Sequence, residues 1–180
     1  MRQSGAGSTL VVVRGNSGSG KSAVAGALRR RLGPGAAAIV DQDHLRRGIL
    51  GERDERGGLA PELIAHTAAF CLARMPVVIV EGILAASRYR EALRGMVESC
   101  PGRSLVYYLD VDLAGTLARH ATRPQAAEFT AEEMAGWYLP EDVLGLEGEF
   151  RVPQSWSLTE TVDRICADLG GQWRPVRCDS

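Results

Sequence analysis

The chain has 180 residues, a length that suits one domain with a sizeable hydrophobic core. Hydrophobic residues make up 45% and charged residues 24%, and the formal net charge is −1. This charge disfavours a protein that holds nucleic acid through a broad basic face. No apolar run is long enough to cross a bilayer, and the N-terminal run is too short for a signal peptide, so we expect a cytoplasmic protein without a membrane anchor.

The first half of the chain alternates short apolar runs with helical patterns. Continuous apolar runs predict buried strands at residues 9–13, 36–40 and 77–80. Amphipathic spacing and breaker residues predict helices at residues 21–32, 44–50, 61 to about 74, and 89–97. Because the strands are apolar throughout rather than alternating, we expect both of their faces to be covered.

The second half continues the same alternation. It predicts strands at residues 105–109 and 150–152, and helices at residues 112 to about 121, 131–138 and 157–169. A polar segment with two prolines, residues 122–148, interrupts the pattern. Strands that alternate with helices indicate an α/β domain with a parallel sheet, here a single domain over residues 1–180.

The residues between the first strand and first helix read GNSGSGKS, which matches the phosphate-binding pattern G-x-x-x-x-G-K-[ST]. Glycines let successive N–H groups turn towards phosphate oxygens, and the helix N-terminus adds a favourable dipole. Lys21 is the only lysine beside 20 arginines, and its ammonium group is expected to bridge the β- and γ-phosphates while the Ser22 hydroxyl holds Mg²⁺. The candidate nucleotide contacts are Gly15, Asn16, Ser17, Gly18, Ser19, Gly20, Lys21 and Ser22.

The lysine count also narrows the class of nucleotide-binding protein. A GTPase that reads guanine through N-K-x-D needs a second lysine, and this chain has none. The chain is too short for the additional parts of most motor or transporter ATPases. A small kinase remains.

With this loop and these strand positions, the chain resembles the P-loop small kinases of the nucleoside-monophosphate-kinase-like fold. Members include gluconate kinase, adenylylsulfate kinase, chloramphenicol phosphotransferase, zeta toxin and the kinase domain of polynucleotide kinase. The resemblance implies a three-layer fold, a parallel sheet of about five strands in the order 2-3-1-4-5, and a lid at about residues 122–148. It also implies ATP and Mg²⁺ as cofactors.

Acidic and basic residues follow the second strand in the run Asp41-Gln42-Asp43-His44-Leu45-Arg46-Arg47. The spacing is similar to the polynucleotide-kinase pattern, which implies that Asp43 is the base for the acceptor hydroxyl and that Arg46 contacts the substrate. Asp41 is the alternative base, and a helix N-cap is the alternative role for Asp43. His44 is a candidate lining residue of the acceptor pocket.

Three further residues are predicted to complete the site. Glu81 ends the third strand, where a carboxylate meets Mg²⁺ or the acceptor in a sheet of this kind, unless it simply faces water. Arg119 lies just before the polar segment and Arg123 at its start, and in related kinases such arginines border the lid and neutralise the transferring phosphoryl group. A solvated basic face is the alternative for this pair.

These features predict an ATP-dependent phosphotransferase that acts on a hydroxyl of a small molecule. A polynucleotide 5′-hydroxyl kinase is the second interpretation, which the net charge disfavours. A nucleotide-binding regulatory or toxin-like module is the third. Trp137 and Tyr138 either stack on a substrate ring or anchor the long loop by packing.

Overall fold

Five parallel strands form the centre of the protein in the order β2-β3-β1-β4-β5. The structure is a computed structural model that describes residues 7–121 and 130–170. The strands are β1 Thr9–Gly15, β2 Ala37–Asp41, β3 Val77–Gly82, β4 Arg103–Asp110 and β5 Glu149–Pro153. The α/β fold and the predicted strand order are both confirmed.

The central strand β1 pairs with β3 on one side and with β4 on the other. Val12 lies opposite Val80 of β3 and Val106 of β4, and all six residues of β3 are buried. Such strands tolerate apolar side chains on both faces because helices cover both.

Six α-helices surround the sheet in the described part of the chain. They are α1 Lys21–Leu32, α2 Ala60–Leu72, α3 Ala86–Ser99, α4 Leu113–Ala121, α5 Ala131–Trp137 and α6 Leu158–Asp168. A wide helical turn of the π type, His44–Ile49, follows β2.

Successive residues of β1 enter two different cores. Leu10 packs with Ile64 of α2 and Leu93 of α3 on one face. Val11 belongs to the second core, which α1 and α6 cover from the opposite face. Side chains alternate along a strand, so this division confirms the predicted three-layer arrangement.

Two helices differ from the sequence-based prediction. The predicted helix at residues 44–50 is a wide turn in which the Leu50 N–H donates to the Leu45 carbonyl, five residues earlier. Helix α3 begins at Ala86, three residues before the predicted start, because the Asp142 carboxylate accepts the Ala86 N–H at 3.0 Å. A cap supplied from so far along the chain leaves no local sequence signal.

None of the helices in residues 7–121 and 130–170 is long and apolar enough to cross a membrane. Within the same residues, Cys71, Cys100 and Cys166 are free thiols.

Candidate active site

The glycine-rich loop connects β1 to α1 and depends on glycine at three positions. Gly15, Gly18 and Gly20 have φ values of 148°, 80° and 105°. These values lie in the region that L-side chains rarely occupy. A Cβ on Gly18 would also lie 2.7 Å from the carbonyl oxygen of Thr116. The loop therefore has the backbone freedom that a phosphate cradle needs.

The N-terminus of α1 opens directly from this loop. Its N-cap residue, Gly20, makes no side-chain cap bond, and the positive end of the helix dipole there favours an anion. Lys21 is buried and donates from Nζ to the Asn16 carbonyl oxygen at 2.8 Å, and the neighbouring Ser22 is exposed. An ammonium group, a hydroxyl and backbone donors thus meet at one end of β1.

Asn16 and Ser19 occupy the inside of the loop rather than its surface. The Asn16 side chain donates to the Leu139 carbonyl at 2.8 Å and accepts the Leu139 N–H at 2.8 Å. Because both groups of its side chain are engaged, Asn16 would contact a nucleotide through its backbone. The Ser19 hydroxyl is buried and has no hydrogen-bond partner among the described residues. Ser17 is half-buried.

Arg119 joins the glycine-rich loop to the segment after β5. Its Nη1 donates to the Ser19 carbonyl at 2.8 Å, and its Nη2 donates to the Gln154 carbonyl at 3.0 Å. Beside it lies a cleft of about 270 Å³ that Val24, Pro153 and Trp156 also line. The position of this cleft suits a nucleotide base. Sequence analysis did not identify Pro153 and Trp156 as residues that line it. Arg123 lies outside the described residues.

Glu81 reaches the same end of the sheet from β3. It pairs in register with Asp41 of β2, and only 3% of its surface is exposed, so it does not face water. Burial raises the pKa of the Glu81 carboxyl, while a hydrogen bond from the Ser22 hydroxyl and the charge of Lys21 partly offset that effect. Asp41 and Asp43 also raise this pKa, which indicates that the three carboxylates lie near one another.

The two candidate bases have different surroundings. Asp41 Oδ1 accepts the N–H groups of Asp43 at 2.8 Å and His44 at 3.1 Å, so Asp41 provides the cap that was considered for Asp43. The Asp43 side chain is 59% exposed and accepts from Arg46 Nη2 at 2.7 Å. His44 is exposed beside it. Asp43 also contacts Arg47 Nε at 3.5 Å, and it has the more exposed carboxylate of the two.

Arg46 is buried although its guanidinium is charged. Nη2 bonds Asp43, and Nη1 donates to the Glu52 carbonyl at 2.9 Å. Its Nε–H is buried and has no partner among the described residues. A buried donor without a partner is costly, and a ligand oxygen would satisfy it.

Sequence analysis missed a second ion pair close to these residues. Asp54 accepts two hydrogen bonds from Arg88, at 3.1 and 2.8 Å, and a third from the Tyr89 hydroxyl at 3.0 Å. Tyr89 also hydrogen-bonds Gln42, the residue between the two candidate bases. Burial and the Asp54 charge raise the pKa of Tyr89 to about 12. Asp54 lies in a polar loop without a motif, so nothing in the sequence indicated that it pairs with Arg88 and Tyr89.

Arg14 is a second residue without a sequence signal, because nothing in the run TLVVVRG distinguishes it from a surface arginine. Its side chain is fully buried at the end of β1. It pairs with Asp142 at 2.6 Å and with Glu149 at 3.1 Å, and it donates to the Leu84 carbonyl at 3.2 Å. Arg14 thereby fixes the loop after β3 and the segment before β5 next to the glycine-rich loop.

The predicted lid, residues 122–148, falls into two parts. Residues 122–129 lie outside the described residues, while residues 139–148 are bound by Asn16 of the glycine-rich loop, Arg14 of β1 and Arg90 of α3. Tyr138 donates from its hydroxyl to the Val111 carbonyl at 3.3 Å, and Trp137 is partly exposed. The lid assignment stays a prediction.

The glycine-rich loop with its lysine, set between the central strand and a helix of a 2-3-1-4-5 sheet, defines a P-loop kinase. A family model described as an AAA domain (AAA_33) matches residues 10–137. The adenylyl-sulfate kinase of Paraburkholderia xenovorans (strain LB400) is 31% identical over 175 residues, which cover 89% of this chain and 87% of that protein. The chain belongs to this family of P-loop kinases, and it is an ATP-dependent kinase.

Solved structures share the fold at lower identity. A gluconokinase from Sinorhizobium meliloti 1021 superposes with a TM-score of 0.66 and 22% identity, covering 93% of each chain. The APS kinase of Mycobacterium tuberculosis in complex with AMPPNP and APS has a TM-score of 0.66 and 23% identity, covering 91% of this chain and 98% of that one. A putative kinase from Chloroflexus aurantiacus J-10-fl reaches 0.71 at 17% identity, over 93% and 99%.

Proposed function

We propose that the protein transfers the γ-phosphate of ATP, with Mg²⁺, to a hydroxyl group of a small molecule. One observation supports the proposal: Glu81, Asp41 and Asp43 lie at the same end of the sheet as Lys21 and Ser22, where the phosphate loop meets α1. Phosphoryl transfer needs a phosphate clamp, a metal and a group that orients the attacking oxygen. These residues provide a lysine for the phosphates, oxygen ligands for the metal and a carboxylate for the attacking oxygen.

The donor side binds the triphosphate. The backbone N–H groups of residues 15–22 and the N-terminus of α1 receive phosphate oxygens, and Lys21 exchanges its bond to Asn16 for the β- and γ-phosphates. Arg119 lines the cleft for the base and is fixed to the loop by the Ser19 carbonyl. Arg123 is proposed to reach the transferring phosphoryl group.

The residues present fit Mg²⁺, which prefers oxygen ligands and is usually held through one or two protein groups together with phosphates and water. The Ser22 hydroxyl and the Glu81 carboxylate, already hydrogen-bonded to each other, would hold it. No group of three His, Cys, Asp or Glu side chains that could bind a metal occurs in residues 7–121 and 130–170. When bound, the ion offsets the charge of the phosphate oxygens.

The acceptor side orients the alcohol. Asp43 is the proposed base because its carboxylate is exposed and fixed by Arg46, whereas Asp41 Oδ1 already accepts two N–H groups. The alcohol oxygen forms the new bond to the γ-phosphorus as the bond to ADP breaks, and its proton passes to Asp43. The free Nε–H of Arg46 and the neighbouring His44 are proposed substrate contacts.

Phosphoryl transfer from ATP to a panel of small alcohols tests the base assignment. We expect Asp43→Asn to reduce the transfer rate by about 100-fold or more, because a positioned base contributes about 10² to 10⁴. Asp41→Asn serves as the matched variant two residues away, and Asp163→Asn, from the exposed Arg31–Asp163 pair, serves as the surface control. Undiminished transfer by Asp43→Asn, with a loss in Asp41→Asn, would move the role to Asp41. No transfer to any alcohol by the wild type would refute the proposed function.

A further inference from the structure

Two arginines on the acceptor side, Arg46 and Arg88, are already paired with carboxylates of the chain itself. Arg46 pairs with Asp43 at 2.7 Å, and Arg88 pairs with Asp54 at 2.8 Å. The second pair is the more complete, because both oxygens of Asp54 accept from one guanidinium. An Arg–carboxylate pair of this geometry occupies the face with which arginine would otherwise bind an anionic ligand.

The Asp54–Arg88 pair lies beside the candidate bases rather than on a remote surface. The Tyr89 hydroxyl donates to Asp54 at 3.0 Å and also hydrogen-bonds Gln42. Gln42 is buried and accepts the Leu84 N–H at 2.9 Å, which places it against the loop after β3. One hydroxyl therefore connects the pair to the residue between Asp41 and Asp43.

Two more carboxylates face this end of the sheet. Asp41 and Glu81 are register partners at the ends of β2 and β3. The proposed function assigns Glu81 to Mg²⁺, and it assigns Lys21, whose charge acts on Glu81, to the phosphates of ATP. Arg47 also contacts Asp43, at 3.5 Å, so the three carboxylates Asp41, Asp43 and Asp54 are matched in number by the three arginines Arg46, Arg47 and Arg88.

We propose that the phosphate acceptor is an alcohol without negative charge, either uncharged or bearing an amine, and that Asp54 sets this preference by occupying Arg88. The inference rests on the proposed function, since it assumes that an acceptor binds beside Asp43. An anionic acceptor that bound Arg88 would have to displace Asp54 and leave that carboxylate unpaired. Adenylyl sulfate and gluconate, the acceptors that two relatives' names give, are both anions.

Sulfate is a direct probe of whether an arginine on this side is available to an anion. The measurement is a sulfate titration, followed by thermal shift at constant ionic strength, of protein saturated with AMP-PNP and Mg²⁺ so that the phosphate loop is occupied. We expect Asp54→Asn, which keeps the shape of the side chain, to bind sulfate at least tenfold more tightly than the wild type. The double variant Asp54→Asn/Arg88→Gln should return to the wild-type affinity.

The matched control is Asp163→Asn, which frees Arg31 of an exposed ion pair outside the site and should leave sulfate affinity unchanged. Arg88→Gln alone provides a second test that does not require the Asp54 variant to fold, and it should also leave the affinity unchanged. Wild-type protein that binds sulfate as tightly as Asp54→Asn, or that loses sulfate binding on Arg88→Gln, would overturn the proposal.

Turnover gives an independent readout with three alcohols of the same carbon skeleton. D-Glucitol is uncharged, 1-amino-1-deoxy-D-glucitol is cationic and D-gluconate is anionic. We expect kcat/KM for D-gluconate to be at least tenfold below the better of the other two, and faster transfer to D-gluconate would contradict the proposal. Phosphoryl transfer by the wild type decides the proposed function, whereas the sulfate titration needs no turnover, so the two can fail separately.

Discussion

The donor side of the site is formed mainly by backbone groups, whereas the acceptor side is formed mainly by side chains. The donor side is mainly backbone: a loop with three glycines at positive φ, the uncapped end of α1 and one lysine. The acceptor side is mainly side chains, which come from the end of β2, the loop before α2, the end of β3 and the first turn of α3. A backbone cradle recognises phosphate in any nucleotide, whereas side-chain pairs select the second substrate.

This difference explains why one fold serves kinases of different specificity. The phosphate loop follows from three glycines and a lysine close together in sequence. The acceptor side depends on pairs such as Arg88 with Asp54, 34 residues apart, which can change without disturbing the sheet. Variants of the donor side and of the acceptor side test whether the two sides are as separable as the structure indicates.

Loss of Lys21 should have the largest effect on activity. We expect Lys21→Ala to reduce ATP turnover by about 10³-fold, because removing one preorganised charge or donor at a transition state costs about 10² to 10³ or more. Arg30→Ala, on the exposed face of the same helix, is the control and should leave turnover unchanged. Turnover of Lys21→Ala within tenfold of the wild type would refute the phosphate-clamp role.

Arg14 joins the two sides, so its replacement should have the largest effect on stability. Arg14→Met leaves Asp142 and Glu149 without their buried partner, which should lower the free energy of unfolding by about 3–5 kcal/mol. Urea unfolding measures the loss. Arg31→Ala breaks an exposed ion pair and should cost less than about 1 kcal/mol. Equal losses in the two variants would show that Arg14 is not the residue that connects the sides.

Gly82 is the acceptor-side position where a single methyl group should matter. A Cβ there would lie 2.5 Å from Gln42 Cβ and closer still to its amide oxygen, so Gly82→Ala must push Gln42 away from the Leu84 N–H. We expect a loss of about 1–3 kcal/mol in the free energy of unfolding. Gly95→Ala is the matched control, because nothing lies within 4 Å of its Cβ and α3 should gain up to about 1 kcal/mol. Similar values for both would contradict the packing assigned to Gln42.

Tyr89 should give a smaller, pH-dependent effect. Its pKa is raised to about 12 in the folded protein, against about 10 when unfolded, so its contribution to stability is complete below pH 10 and is lost as the pH rises to about 12. Tyr89→Phe should cost about 1 kcal/mol at pH 8, through the lost bond to Asp54. The difference between variant and wild type should shrink between pH 10 and 12 in urea unfolding, and a constant difference would refute the assignment.

Short-range patterns predicted the strands and the donor loop, whereas the sheet order followed from the resemblance to the P-loop small kinases. Apolar runs marked the strands, and the run from Gly15 to Ser22 carries its own motif. The sequence also pointed to Asp43, Arg46 and Glu81, which the structure places at the carboxyl ends of β2 and β3.

Long-range partners were beyond sequence reasoning. The cap of α3 comes from Asp142, 56 residues away, and the cleft beside Arg119 is completed by the segment after β5. Asp41, rather than Asp43, caps the helical turn after β2, and either residue fits the local pattern equally well. Which residue caps a helix and which residues line the cleft are decided by contacts that form only when the sheet is assembled.

The separation of the two sides is the central claim, and AMP-PNP binding in the presence of Mg²⁺ tests it most directly. Isothermal titration should find that Asp43→Asn binds AMP-PNP within about twofold of the wild type, while Lys21→Ala loses at least about tenfold, close to 1.4 kcal/mol. Asp43→Asn protein that loses AMP-PNP affinity as severely as Lys21→Ala would place Asp43 on the donor side and contradict the account.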